Sequence, residues 1–155
     1  MYVIVFSYYV PEMVAQTYIV FIENVDSNYM DFLEDILWLA VAFLVFDYFY
    51  LSNVVGIFDE VVRAIQGSGI NFKILGAVGA YAAIVYQFYH FIYSKDGANV
   101  TDAFVLGATS YAIFDFTNYV LFDKYPLDVG LMDTLWGGVL YSLVFLVFSG
   151  FKSYK

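Results

Sequence analysis

The chain has 155 residues, no cysteine, one histidine and a formal net charge of −9; 63% of its residues are hydrophobic and only 14% are charged. A soluble domain is roughly 45–50% apolar and about 25% charged, so both values depart in the direction a bilayer requires. The composition excludes disulfides, thiolate metal sites and cysteine nucleophiles, and the negative charge argues against nucleic acid or anionic headgroups as partners.

Residues 1–30 are read as an extra N-terminal segment preceding a membrane domain over residues 31–155. The stretches 2–10 and 16–22 are rich in β-branched and aromatic side chains and are interrupted by Pro11 and Glu12. They fit two short strands, an interfacial segment or a fifth, kinked span; the non-spanning reading is preferred. Asp31 and Glu34 then resemble a capping box that opens a helix.

Four stretches are long and apolar enough to cross a bilayer, which takes about 20 residues. They are 36–58, 74–93, 103–122 and 129–151, and the three that contain an acid carry one each, at Asp47, Asp115 and Asp133. Turn signals separate the four spans, at Gln66-Gly-Ser-Gly69, Ser94-Lys-Asp-Gly97 and Asp123-Lys-Tyr-Pro126. Asn99 with Asp102 predicts a capping box before the third span, and Asp128 is placed to cap the fourth. Residues 54–66 carry Val54, Phe58, Val61, Val62 and Ile65 on one helical face, the pattern of an interfacial helix. The alternative is a plain extension of the first span. The expected fold is therefore all-α: a multi-pass transmembrane bundle of about four helices, with an interfacial helix and the N-terminal segment. Its site is a membrane crossed several times, with no orientation legible from the balance of Lys and Arg.

Ionisable groups inside a span are costly, which makes Asp47, Asp115 and Asp133 the candidate site. The short link between the third and fourth spans predicts an antiparallel hairpin. Asp115 and Asp133 then lie roughly 8–11 Å in from the same face, with Asp47 about 12–16 Å deep in the same half. The three carboxylates are expected to face one interior region. Compensation would come from Asn118, Thr117, Trp136 or tyrosine hydroxyls as donors, or from a bound cation. Gly76, Gly79, Ala80 and Ala83 on the second span, and Gly137 on the fourth, have the small-residue spacing that lets membrane helices approach closely. No phosphate loop, metal-ligand spacing or nucleophile–base arrangement appears, so the chain is read as a non-enzyme with no cofactor and no metal site.

The segments Tyr111-Ala-Ile-Phe-Asp115-Phe-Thr-Asn118, Tyr125-Pro-Leu127 and Met132-Asp-Thr-Leu-Trp-Gly137 carry a further pattern. Over residues 44–148 the chain resembles a family of small predicted membrane proteins of unknown function, domain of unknown function 2177. The resemblance implies a four-helix membrane fold and a joint role for Asp115, Asn118 and Asp133, with Asp47 matching an upstream acid. The family's turn usually has Trp where Tyr125 stands, and its Trp-Leu pair looks replaced by Tyr50-Leu51. It implies no reaction, and its relatives include proteins of large DNA viruses. Two functions follow as expectations. One is a structural or anchoring membrane component, in a viral setting a minor capsid or inner-membrane protein of the virion, meeting lipid and other membrane or capsid proteins through residues 1–30 and 54–66. The alternative is a small transporter or proton-linked channel that uses the buried aspartates.

Overall fold

The computed structural model describes residues 2–152, with side chains described for 28–150. The chain divides into two compact units, Met1–Leu37 and Trp38–Lys155. Four helices follow one another: α1 (Tyr2–Gln66), α2 (Ile74–Phe88, extended by a π-helical turn over Tyr89–Tyr93), α3 (Val100–Leu121) and α4 (Leu127–Lys152). The protein is all-helical among its described residues. Three of its helices are long and apolar enough to cross a membrane: Asn28–Gln66, Ile74–Tyr93 and Leu127–Gly150. Helix α3 has 22 residues, also sufficient in length. It is less apolar because Thr101, Asp102, Thr109, Ser110, Asp115, Thr117 and Asn118 all lie on it.

Helix starts separate the local signals that act from those that do not. Asn99 caps α3 as its sequence predicts: its Oδ1 accepts from the amides of Thr101 and Asp102, and Asp102 Oδ2 accepts from the amide of Asn99. Asp31 and Glu34 open no helix, because they lie inside the continuous α1. Asp128 occupies the first turn of α4, while the Pro126 carbonyl takes the first backbone bond from Gly130. An acid in that turn still meets the positive end of the helix dipole. The expectation that residues 1–30 form a non-spanning segment falls mostly on 1–27, whose side chains lie outside the described residues.

Within the second unit, residues 54–66 continue α1 without a break, as the extension of the first span. Their apolar face has a protein partner: Val61 is buried with Tyr125 and Val129, and Phe58, Ile65 and Met132 pack around them. Beyond Phe58 the helix ends in a polar clasp. Asp59 accepts from the Ile70 amide at 2.8 Å and from Arg63 Nε at 2.6 Å. Gln66 donates to the carbonyls of Ser68 and Gly69.

The core sits where α1, α2 and α4 meet. Phe43, Phe88 and Tyr141 pack edge to face, with ring centroids 5.0–5.7 Å apart, an arrangement that adds about 0.5–1.5 kcal/mol per pair beyond area. Leu39, Leu140 and Val144 complete it and are fully buried. Helices α3 and α4 form the tightest contact, with Gly107 against Gly137. A Cβ at Gly107 would collide with the Gly137 carbonyl and the Tyr141 ring, and one at Gly137 with the Tyr111 ring. The outer faces are apolar and open, as at Leu75, Val78, Ile113 and Val120. Water would penalise such surface strongly, whereas lipid matches it.

Candidate functional site

The antiparallel α3–α4 pair fixes the level of the site. Asp115 lies six residues before the last residue of α3, and Asp133 six after the first of α4. Asp115 is 1% exposed, Asp47 7% and Asp133 8%, so all three carboxylates are inside the protein. A buried ion without partners would cost several kcal/mol. Each carboxylate is instead matched to neutral donors.

Asp115 Oδ1 accepts from the Tyr125 hydroxyl at 2.6 Å, and Oδ2 from Thr134 at 3.2 Å. Tyr125 stands on the α3–α4 turn and Thr134 on α4, so one carboxylate closes the hairpin from both sides. Gly130 permits this approach, since a Cβ there would lie 3.3 Å from both Asp115 Cβ and the Tyr125 ring. Asp133 Oδ1 accepts from the Tyr50 hydroxyl of α1 at 3.1 Å. Asp47 on α1 accepts from Tyr81 of α2 at 2.5 Å and from the Trp136 indole of α4 at 2.8 Å. The Tyr50 and Trp136 rings stack with centroids 4.4 Å apart and planes 9° from parallel. The donors to Asp47 and Asp133 are therefore locked face to face.

A second polar level lies further along the bundle. Gln87 Nε2 donates to the Tyr141 hydroxyl, and Ser110 donates to Gln87 Oε1 at 3.2 Å. The two levels together bond α1, α2, α3 and α4 to one another. Among the described residues no buried side-chain nitrogen or oxygen lacks a partner. Such completeness is what makes a polar layer inside an apolar medium stable. No group of three acidic or histidine side chains converges as metal ligands would, among the described residues. Two clefts, of about 430 and 220 Å³, open beside the turn between α2 and α3, and none of the three aspartates lines either of them.

Asp47, Asp115, Asp133 and Trp136 enter the network, with Trp136 serving Asp47 rather than its helix neighbour Asp133. Asn118 does not enter it. Its side chain is half-buried and makes no hydrogen bond among the described residues; only its backbone carbonyl is used, by the Phe122 amide. Gly137 packs against α3, but Gly76, Gly79, Ala80 and Ala83 are exposed, and a Cβ on Gly79 would meet nothing within 4 Å. The small face of α2 is thus exposed among the described residues. Tyrosine hydroxyls are expected as donors, but nothing in the sequence marks Tyr50, Tyr81, Tyr125 or Thr134 individually. With 16 tyrosines in the chain, the sequence offers little to select three of them.

Comparison with known proteins adds one match. The pattern of a family described as predicted membrane protein (DUF2177) matches residues 32–148. No curated protein and no solved structure matches the chain.

Proposed function

The chain belongs to the DUF2177 family of predicted membrane proteins, and from that premise we propose that it is a non-catalytic structural component of a membrane, whose buried aspartates fasten its helices together. The observation that carries this reading is the pairing of every one of the three carboxylates with a hydroxyl or indole donor from a different segment. A transport site needs groups that exchange partners with water or cargo. Each of these carboxylates is held by at least one donor of the protein itself, and the clefts beside the α2–α3 turn do not reach them. The stiffened bundle would serve as an anchor that presents its exposed apolar faces to lipid and to neighbouring membrane proteins.

The test compares isosteric and truncating variants of the full chain in bicelles. Asp115→Asn and Asp133→Asn keep an acceptor oxygen and should remain assembled. Asp115→Ala and Asp133→Ala strand the Tyr125 and Tyr50 hydroxyls and should lower the unfolding midpoint clearly. Equal stability of the Ala and Asn variants with the wild type would defeat the fastening role.

A further inference from the structure

The π-helical turn that ends α2 carries the Ser94 amide to the Tyr89 carbonyl at 2.8 Å. A π turn holds about one residue more than an α turn and re-aims the side chains beyond it; such turns recur at functional sites. Here it faces α3 across the cleft of about 430 Å³, lined by His90, Lys95, Asp102, Val105, Leu106 and Thr109 among others. That volume falls within the roughly 300–1,000 Å³ of small-ligand sites, in a groove that is open to its surroundings rather than enclosed.

The lining changes character with depth. Lys95 stands in the turn just past the second span and forms no ion pair among the described residues. Asp102 Oδ2 is used by the Asn99 amide, which leaves Oδ1 able to accept. From Asp102, the face of α3 runs through Val105 and Leu106 to Thr109, about 10 Å deeper at 1.5 Å per residue. The Thr109 hydroxyl gives its proton to the carbonyls of Val105 and Leu106, so it offers the cleft no donor, and the wall above it is formed by the apolar Val105 and Leu106. A cation and a carboxylate at the boundary, with an apolar wall beneath, match a molecule bearing both charges at its head and a hydrocarbon tail.

The geometry points to a binding site for one zwitterionic aminophospholipid. Its phosphate sits at Lys95, beside His90, its ammonium at Asp102, and one acyl chain lies along Val105 and Leu106. An anionic lipid would meet the repulsion of a chain with net charge −9, whereas a zwitterion carries no net charge to repel.

Delipidated full-length protein in neutral detergent would be titrated with short-chain phosphatidylethanolamine, phosphatidylglycerol, diacylglycerol and inorganic phosphate, with native mass spectrometry as readout. Saturable one-to-one binding of phosphatidylethanolamine is expected, with phosphatidylglycerol weaker and neither diacylglycerol nor phosphate saturating. Lys95→Gln, at an exposed turn position, should weaken phosphatidylethanolamine about fivefold, close to 1 kcal/mol. Equal binding of diacylglycerol, saturation by phosphate alone, a preference for phosphatidylglycerol, or an unchanged affinity in Lys95→Gln would each overturn the site.

Discussion

Asp47 and Trp136 give the sharpest handle on the buried network, because they lie 89 residues apart and share one measurable bond. Trp136→Phe removes the indole N–H and keeps an aromatic ring for stacking on Tyr50. Asp47→Ala removes the acceptor and leaves both the Tyr81 hydroxyl and the Trp136 N–H without their 2.5 Å and 2.8 Å bonds. Interhelical hydrogen bonds in membrane proteins average about 0.6 kcal/mol, with a maximum near 1.7. The short bond to a carboxylate belongs in the upper part of that range. The expected losses are about 1 kcal/mol for Trp136→Phe and about 2–3 kcal/mol for Asp47→Ala, where two donors are stranded. The double variant should lose about 1 kcal/mol less than the sum, and that difference is the coupling. Steric-trap or SDS unfolding in bicelles supplies the four free energies. Strict additivity would refute a working bond between α1 and α4.

Further outcomes follow from the same geometry. Tyr125→Phe should cost about 1 kcal/mol by freeing one side of Asp115, while Asn118→Ala should stay within about 0.5 kcal/mol, both read by the same unfolding assay. Gly137→Ala should cost about 1–3 kcal/mol, since the new methyl meets the Tyr111 ring in a well-packed contact; Gly79→Ala, facing open space, should be neutral or slightly stabilising in the monomer. The Asp59 clasp has an exchange signature: Asp59→Ala removes the acceptor of the Ile70 amide and should accelerate its hydrogen exchange, and an unchanged rate would assign that protection to another group.

Much of the fold is legible because hydropathy and capping act locally. The second span coincides with the Ile74–Tyr93 helix, and the Asn99–Asp102 box forms as written, since both depend on residues within a few positions of each other. Asp31 and Glu34 mislead for a reason of the same kind. Their spacing satisfies a capping box, but a cap needs the helix to begin there, and α1 runs through them. The polar layer is half legible. An acid inside an apolar stretch stands out from its neighbours, which exposes Asp47, Asp115 and Asp133. Their donors do not stand out, because a tyrosine facing lipid headgroups and one reaching a carboxylate look alike in sequence. Asn118 shows the converse error: sharing a helical face with Asp115 does not bring its amide to a partner. The α2 glycines are small residues as Gly137 is, but among the described residues they are exposed, whereas Gly137 meets Gly107 and Tyr111 of α3.

Proton flux into liposomes tests the structural reading most directly. With the purified chain reconstituted and a pH-sensitive dye inside, an imposed pH gradient should decay no faster than in protein-free liposomes. Decay well above that background, abolished by Asp133→Asn while the unfolding midpoint stays unchanged, would contradict a purely fastening role for the three aspartates.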